Sequence, residues 1–524
     1  MPQRYANDSP GLPDTGTASR VSTIQIHNSL SGRKEPLAPL RPGRIGMYVC
    51  GDTVYDLCHM GHARSKIVFD VVRRYLVYRG LEVTFIRNIT DIDDRIIQRA
   101  AEQGKDIGAF TEHYIREMHR DYDALGILRP DHEPRATEHV AGMIEMTQTL
   151  IEKGFAYVAS NGDVMYSVAR FPGYGRLSGE RLSELRAGER VEVDAAKRDP
   201  LDFVLWKRAK PGEPWWPSPW GPGRPGWHIE CSVMSQALLG TRFDIHGGGL
   251  DLKFPHHENE IAQSCAASAD GFAQLWMHNG FLTLDHTKMS KSLGNIFTIR
   301  EALSRVRDPE VIRCFVLASH YRGPINYSVD QLEQADAALG RLYTALRDAR
   351  PSARAAAGEH TARFREAMDD DFNTPEALAV LQTLAREINS ARASGDDARV
   401  SERADELRAL GQVLGILALP TEQWFRSAKP TAAPGAVSGV AASVSIASGA
   451  LGASATPDAS ATPDASATAR ASMSDADVDR LVEARAAARA ARRWAESDRI
   501  RDALAQAGVI LEDRPGGKTA WRRT

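Results

Sequence analysis

Two short apolar runs with one helical stretch between them constrain the fold more than any other feature of this sequence. The first run occupies 45–51 and the second 81–90, and apolar residues recur at helical spacing from Ile67 to Leu76. A strand, a helix and a strand in this order require a right-handed crossover, which predicts a parallel sheet. Ligands of such sheets collect at the carboxyl ends of the strands, so a binding site is expected there.

The residue pattern of the rest of the chain changes several times. Hairpin-like pieces around the Asn161-Gly162 turn signal indicate an insertion, after which the pattern of the first domain resumes. Helical periodicity then fills most of 328–419. Residues 427–474 are almost wholly Ala, Ser, Gly, Thr, Pro and Val, a composition that cannot bury enough apolar surface to order itself. Two short helices and the strand-like run VILED follow.

Composition excludes several classes of protein. No uninterrupted stretch of about 18 apolar residues is present, which argues against an integral membrane protein. The polar segment from Met1 to Arg20 lacks the apolar core of a signal peptide, so we expect cytosolic residence. Because 65 Lys plus Arg oppose 68 Asp plus Glu, for a net charge of −3, a nucleic-acid partner must meet a local basic face. Five widely spaced cysteines favour buried thiols or metal ligands over disulfides.

Four side chains could form a metal site. They are Cys50, Cys231, His256 and Glu260. The last two are four residues apart and would share one face of a helix, and two thiolates, an imidazole and a carboxylate form a tetrahedral set suited to Zn²⁺. Spacing alone leaves other interpretations open, because a lone cysteine is usually a small buried hydrophobe and a His-Glu pair is usually a surface hydrogen bond. His257 and Glu258 are neighbours that could compete as ligands.

Two further motifs indicate nucleotide chemistry. HMGH at 59–62 begins the predicted helix, where free backbone amides and the helix dipole favour phosphate and where Gly61 permits close approach of a flat ring. Far downstream, KMSKS at 288–292 supplies two cations and hydroxyls. Together they describe attack of a carboxylate on the α-phosphate of ATP, with the imidazoles and the lysines stabilising the developing charge.

The sequence around these motifs resembles that of the cysteinyl-tRNA synthetases, which are class I aminoacyl-tRNA synthetases. The resemblance is carried by HMGH, KMSKS, TVYDLCHMGHARS, RNITDIDDRI, GWHIECS and HGGGLDLKFPHHENEIAQS. It implies an α/β fold: a Rossmann-type parallel-sheet catalytic domain with a connective insertion, followed by a helical bundle and a small anticodon-binding domain. It also implies a cytoplasmic monomer that uses ATP with Mg²⁺ to attach L-cysteine to tRNA for cysteine.

We predict domain boundaries on this basis. They are a disordered N-terminal extension at 1–21, the first half of the catalytic domain at 22–137, the connective insertion at 138–226, the second half at 227–273, the stem-contact region with the KMSKS loop at 274–333, the helical bundle at 334–426, the low-complexity linker at 427–474 and the anticodon-binding domain at 475–524.

The resemblance also implies residue roles. One Zn²⁺ would be held by Cys50, Cys231, His256 and Glu260 and would bind the substrate thiol. The catalytic residues would be His59, His62, Lys288 and Lys291, and these four together with Gly61 would bind ATP. The cysteine pocket would be formed by Gly51, Thr90, Trp227 and His246, and the anticodon would be read by Arg489, Trp494, Asp498 and Asp513.

Two alternatives remain at this stage. A ligase of the same fold joins cysteine to an amino sugar and has similar motifs, but it lacks an anticodon domain, so the segment after Asp475 argues against it. A catalytically idle RNA- or zinc-binding relative is the other alternative, and the intact HMGH and KMSKS motifs argue against that.

Overall fold

The computed structural model describes residues 23–179, 196–284, 287–288, 297–352, 358–427, 473–513 and 519–523, with backbone alone at 287–288. The chain forms two compact units, Met1–Thr421 and Glu422–Thr524. The predicted extension at 1–21 and nearly all of the predicted linker at 427–474 lie outside the described residues.

The strands of the first unit range from two to ten residues in length. They are β1 (Gln25–Asn28), β2 (Arg33–Pro36), β3 (Arg44–Thr53), β4 (Glu82–Thr90), β5 (Ala156–Val158), β6 (Val164–Tyr166), β7 (Phe203–Arg208), β8 (Gly223–Pro225), β9 (Phe243–Gly249), β10 (Ala273–Asn279), β11 (Leu282–Leu284), β12 (Thr287–Lys288) and β13 (Ile325–Tyr327).

The first unit also contains twelve α-helices within the described residues. They are α1 (Met60–Tyr78), α2 (Asp94–Glu102), α3 (Ile107–Ala124), α4 (Val140–Glu152), α5 (Trp227–Leu239), α6 (Glu258–Ala267), α7 (Ile299–Leu303), α8 (Glu310–Leu317), α9 (Val329–Leu346), α10 (Glu359–Asp369), α11 (Thr374–Ala393) and α12 (Asp397–Val413). None of the helices that the structure describes combines the length and the apolar composition that a membrane crossing requires.

A four-stranded parallel sheet forms the centre of this unit and confirms the predicted strand–helix–strand arrangement. Its order is β10-β9-β3-β4, and α1 connects β3 to β4. The strand order reverses between β3 and β9, where Tyr48 pairs with His246. In sheets of this kind the crevice beyond the carboxyl ends at such a reversal is the usual ligand site.

The predicted insertion contains its own antiparallel sheet, in the order β5-β6-β7-β8. The Asn161-Gly162 turn connects β5 to β6 as expected, with Gly162 at a φ of 89°. The predicted helical bundle consists of α9 to α12. Its third helix, α11, begins at Thr374, because Phe372 has a φ of 52° and Asn373 caps the amide of Glu376.

The second unit contains most of α13 (Thr421–Arg426), α14 (Asp475–Ala490), α15 (Trp494–Gln506) and the antiparallel pair β14 (Val509–Asp513) and β15 (Thr519–Arg523). Val478, Val482, Leu504, Val509 and Trp521 form its apolar core. The two predicted helices and the strand-like VILED run are therefore confirmed.

A buried ion pair links the end of β3 to α1. The Nζ atom of Lys66 lies 3.2 Å from Asp52 Oδ1, and the two side chains are 4% and 7% exposed. Lys66 also donates to the carbonyl of Cys50 at 3.2 Å, and the Tyr122 hydroxyl donates to Asp52 at 2.6 Å. Burial opposes ionisation of Asp52, but Lys66 and the Tyr122 hydrogen bond hold its pKa well below the usual range. The segment that follows Cys50 is thus fixed to α1.

Replacing Lys66 with Met is expected to lower the free energy of unfolding by about 3–5 kcal/mol, because Asp52 would remain buried without its cation. Adding Asp52→Leu should restore much of that loss. The exposed pair Lys34–Asp370 provides the control, and Lys34→Met should cost less than about 1 kcal/mol. Urea unfolding followed by circular dichroism measures all three. Equal effects of Lys66→Met and Lys34→Met would contradict this account of the buried pair.

Candidate active site and metal centre

The four predicted metal-binding side chains converge. Cys50 is in β3, Cys231 in α5, His256 in the turn before α6, and Glu260 in α6. One donor atom from each lies within 4.8 Å of the other three, and all four residues are buried. Cys50 and Cys231 are 181 residues apart in sequence, so the fold alone brings them together.

Distances between the donors match the edges of a zinc tetrahedron. Ideal Zn²⁺ distances of about 2.3 Å to sulfur and about 2.0 Å to nitrogen or oxygen place two sulfurs about 3.8 Å apart, and sulfur and oxygen about 3.5 Å apart. The Sγ atoms of Cys50 and Cys231 are 3.6 Å apart, and Cys50 Sγ lies 3.5 Å from Glu260 Oε1. His256 Nε2 lies 3.1 Å from the same oxygen. These residues therefore fit a tetrahedral ion in number, chemistry and spacing.

Cys50 and Glu260 also form a second possible donor set, with His246 and His257. The Glu260 carboxylate distinguishes the two sets. Its Oε1 atom faces Cys50 and His256, whereas its Oε2 atom is held by His246 Nε2 at 2.8 Å. His257 Nε2 lies 3.9 Å from Oε1, and its Nδ1 atom is engaged by His278 at 2.8 Å. His257 Nε2 also lies 3.3 Å from Cys50 Sγ, so the two sets are similarly compact, but only the set with Cys231 and His256 supplies two thiols. Around that set, His246 and His257 would orient the ligands.

Electrostatics in this cluster favour a bound cation. Burial raises the pKa of Cys50 well above its usual range, and Cys231 raises it further. Burial alone would also raise the pKa of Cys231, but hydrogen bonds from Cys50 and His256 lower it to about 6. Burial disfavours the charged form of His256, yet Glu260 raises the pKa of His256 to about 10. A divalent ion would replace the protons on Cys50 and His256 and neutralise the excess negative charge.

The four residues predicted to form the cysteine pocket lie around this cluster. Gly51 N donates to Asn88 Oδ1 at 2.8 Å, and a Cβ at Gly51 would meet the Asn88 carbonyl oxygen at 1.5 Å, so only glycine fits. Thr90 donates to Glu230 at 2.7 Å. The Trp227 ring is 40% exposed and lies 4.3 Å from the His256 ring. The His246 ring is fully buried and stacks on Trp276 at 4.4 Å.

Sequence reasoning missed several polar residues that position this site. Asn88 and Glu230 contact the predicted pocket residues directly, and burial raises the pKa of Glu230 well above its usual range. His228 Nδ1 lies 2.9 Å from His256 Nδ1 and orients that ring. His278 supports His257. Asn88, His228 and Glu230 lie inside the RNIT and GWHIECS runs, but nothing in the local pattern of the chain marks His278.

HMGH begins a helix as predicted, but its backbone amides are not free. The amide of Met60 donates to the carbonyl of Phe297 at 2.9 Å, and that of Gly61 to His59 Nδ1 at 3.1 Å. His59 and His62 form a reciprocal cap at the helix start. The prediction of a phosphate site made of free amides was therefore wrong for this first turn, because the imidazoles and the carbonyl of Phe297 accept from those donors.

The two imidazoles lie against each other at this helix start. Their rings are stacked with centroids 3.7 Å apart. Each Nδ1 atom accepts a hydrogen bond from a main-chain amide, so the proton of each neutral ring resides on Nε2. A Cβ at Gly61 would lie 2.9 Å from the His59 ring, so the flat ring that approaches this glycine in the structure is that of His59.

The lysine segment, residues 288–296, contains KMSKS, and the structure describes its first residue and the chain on either side of it. Lys288 terminates β12, which pairs with β11, while Lys291 lies outside the described residues. On the other side, Thr298 forms a bridge to His59, and Ile299 N donates to the carbonyl of Cys58 at 3.1 Å. The chain that leaves the lysine segment is thus joined to the residues just before α1.

The predicted anticodon residues are on α14, α15 and β14 of the second unit. Trp494 is 59% exposed, and the exposed Asp498 pairs with Arg501 at 3.2 Å. Asp513 accepts from Arg489 at 2.8 Å and from Arg485 at 3.0 Å. Hydrogen bonds from Arg485 and Thr519 hold the pKa of Asp513 well below its usual range.

Comparison with known proteins places this architecture in a family. A model of the class I (C) tRNA synthetase catalytic domain matches residues 36–337, a DALR domain model matches 363–418, and an anticodon-binding domain model of cysteinyl-tRNA ligase matches 474–522. Methylococcus capsulatus and Thioalkalivibrio sulfidiphilus have similar proteins, both called cysteine–tRNA ligase, which are 55% and 56% identical over 95% of this chain and 100% of their own length.

Solved structures of low identity agree on the fold. The methionyl-tRNA synthetase of Mycobacterium tuberculosis, in complex with methionyl-adenylate, is 15% identical and superposes with a TM-score of 0.51. The match covers 74% of this chain and 92% of that chain. Sequence identity to the curated relatives extends from the catalytic domain through the anticodon-binding domain. This chain therefore belongs to the cysteine–tRNA ligase family of class I aminoacyl-tRNA synthetases.

Proposed function

We propose that this chain attaches L-cysteine to tRNA for cysteine in two steps, through a cysteinyl adenylate formed from ATP. The observation that carries this proposal is the meeting of two thiols, an imidazole and a carboxylate at the carboxyl ends of β3 and β9, in a chain so similar to cysteine–tRNA ligases. That position is the crevice where a parallel sheet of this order binds its ligands.

The proposed metal is one Zn²⁺ held by Cys50, Cys231, His256 and Glu260. It would supply a soft Lewis acid that prefers a substrate thiolate to a hydroxyl. Trp227 and Gly51 would bound the side of the pocket nearest the thiol, and Thr90 and His246 would orient the polar groups beneath it. An apolar pocket alone would separate cysteine from serine by only about 1–3 kcal/mol.

Adenylate formation requires the substrate carboxylate to attack the α-phosphate while pyrophosphate leaves, with Mg²⁺ accompanying ATP. The imidazoles of His59 and His62 would donate to the phosphate, and Gly61 leaves room for the His59 ring beside the helix start. Lys288 and Lys291 would neutralise the departing pyrophosphate. No side chain of the protein needs to act as a nucleophile, because the substrate supplies the carboxylate.

The second unit is proposed to read the anticodon. Trp494 offers an exposed aromatic face on which a base can stack, while Arg489, Asp498 and Asp513 offer edges for hydrogen bonding. We further propose that the enzyme acts as a cytoplasmic monomer and that its domains follow the boundaries given under Sequence analysis.

Charging of tRNA tests the whole proposal. The purified chain should transfer labelled cysteine to a tRNA transcript for cysteine, and an amino-sugar acceptor should not accept it. Transfer to the amino sugar without transfer to tRNA would favour the alternative ligase. Failure of both, with zinc bound, would favour an idle relative.

Trp494→Ala should lower kcat/KM for tRNA by about 5- to 150-fold, because stacking of one base contributes about 1–3 kcal/mol. Cysteine-dependent exchange of pyrophosphate into ATP needs no tRNA, so it should be unchanged in the same preparation and serves as the control. A variant that charges tRNA normally, or that loses both activities together, would contradict the role given to Trp494.

A further inference from the structure

Arg64 is a buried cation that the proposed chemistry does not use. It lies in α1, two residues after His62, and is 1% exposed. Within the part of the chain that the structure describes, the hydrogen-bond partners of its guanidinium are main-chain carbonyls. Burial lowers the pKa of Arg64 to about 10, and no carboxylate contributes to that shift. Removing a guanidinium from water is costly. The groups that it hydrogen-bonds therefore indicate which parts of the structure it stabilises.

The guanidinium joins two segments that are distant in sequence. Its Nη1 atom donates to the carbonyl of Phe281 at 2.5 Å, and its Nη2 atom to those of Tyr321, at 3.1 Å, and Gly323. These carbonyls are 217 to 259 residues from Arg64. Phe281 directly precedes β11, and the other two precede β13, which runs parallel to β11. One side chain therefore holds the starts of both parallel strands.

Gly280 brings the same strand starts into close contact. Its amide donates to the Tyr321 carbonyl at 2.8 Å. A Cβ at this position would lie 2.3 Å from the carbonyl oxygen of Gly323 and 2.6 Å from that of Arg322. Both are backbone atoms, so neither could move aside without separating the strands. Gly280 and the Arg64 guanidinium thus together set the distance between the starts of β11 and β13.

The lysine segment extends from this sheet. β11 pairs with β12, where Thr283 is opposite Lys288, the first lysine of KMSKS. After the segment, Phe297 and Thr298 return to the start of α1 through the amide of Met60 and the bridge to His59. Both ends of the segment are therefore attached to the helix that carries the two imidazoles, one through Arg64 and one through the main chain.

We propose that Arg64 is a positioning residue for adenylate formation: it sets the base of the lysine segment at a fixed distance from His59 and His62. This role rests on the proposed function of KMSKS. Lysine cannot replace the planar fork that reaches three carbonyls at once. A displacement of about 1 Å in such a site can lower a rate on the order of 10²-fold.

Arg64→Lys is therefore expected to lower kcat for cysteine-dependent pyrophosphate exchange by about 10- to 100-fold. The KM for cysteine and the zinc content should stay within about twofold of the parent, because the proposed zinc ligands lie on β3, on α5 and around α6. A larger rise in that KM, or loss of zinc, would overturn the assignment, since both would indicate general damage to the site.

A double-mutant cycle with Lys291→Ala separates positioning from general damage. Adenylate formation is measured in single turnovers with enzyme in excess, so that slow variants remain measurable. If Arg64 acts through the lysine segment, the double variant should be within about threefold of Lys291→Ala alone. Independent effects would multiply instead, and that result would overturn the inference. Full activity of Lys291→Ala alone would refute the proposed function of the segment, so the two failures are distinguishable.

Arg313→Lys is the matched control. Arg313 is also fully buried and also donates to main-chain carbonyls, in addition to Asp70. These carbonyls are those of Leu125, Gly126 and Leu414. Whatever the effect of Arg313→Lys on the rate of adenylate formation, it should multiply with the effect of Lys291→Ala in the double variant. Gly280→Ala is a second variant, in case Arg64→Lys does not fold. It spreads the same strands without leaving a buried charge, and it should show the same lack of additivity with Lys291→Ala.

Discussion

Cys231→Ser is expected to release zinc and to lower kcat/KM for cysteine in pyrophosphate exchange on the order of 10³-fold. Serine is nearly isosteric, but its hydroxyl does not ionise near neutral pH and is a poor ligand for a borderline-soft ion. The remaining Cys50, His256 and Glu260 would keep their positions, so the loss should reflect the missing thiolate rather than a collapsed pocket. Elemental analysis of the purified variant measures the zinc.

Two further substitutions make this result specific. Cys314→Ser changes another buried cysteine, in α8, and should keep both zinc and activity. His257→Gln tests the second donor set, which contains His257 but not Cys231. Zinc retained in Cys231→Ser and lost in His257→Gln would show that the ion occupies the second set instead.

The cobalt-substituted protein offers a direct test of thiol recognition. A new sulfur-to-metal charge-transfer band should appear when L-cysteine is added and not when L-serine is added. A spectrum that does not change with L-cysteine would refute recognition of the substrate through the metal, whatever the zinc content of the variants.

His62→Ala is expected to lower kcat for adenylate formation by about 10²- to 10³-fold, as loss of one preorganised donor does in comparable sites. The KM for cysteine should change little, because the proposed zinc ligands are on other elements. The reciprocal cap would also be weakened, at a cost of about 1 kcal/mol in stability. Exchange kinetics, together with a thermal unfolding curve, separate the two effects.

His59→Asn provides the matched comparison for the helix cap. Asparagine is a good helix cap, so this variant should keep the stability of the parent while losing the imidazole donor. Because the two rings are stacked and act on one group, the double variant should lose less than the product of the single losses. An effect confined to the KM for cysteine would contradict the role given to both histidines.

Much of this protein follows from local patterns. Helical spacing from Ile67 to Leu76 between two apolar runs predicts the β3–α1–β4 unit, since side-chain periodicity reflects the geometry of the backbone itself. The Asn161-Gly162 turn predicts its hairpin for the same reason. The choice of Cys50, Cys231, His256 and Glu260 needed the family resemblance, because their spacing also fits ordinary buried thiols and a surface hydrogen bond.

Other features depended on packing. The amides of HMGH were expected to be free, but His59 turns back on Gly61 and Phe297 returns from the lysine segment to occupy them. The selection between His256 and His257 was equally open. It depends on the distance to Glu260 Oε1, which is 3.1 Å from His256 Nε2 and 3.9 Å from His257 Nε2.

The sequence by itself determined the parallel αβ core, the inserted hairpins, the helical bundle and the family, because each of these depends on periodicities or motifs formed by residues close together in the chain. Only the tertiary structure decided that Arg64 holds the starts of β11 and β13, in the sheet that carries Lys288. It also decided that Asn88, Glu230 and His278 support the proposed metal and cysteine sites. Buried polar groups must find partners wherever folding brings an acceptor, and those acceptors lie up to 259 residues away from Arg64. No local periodicity records such a pairing.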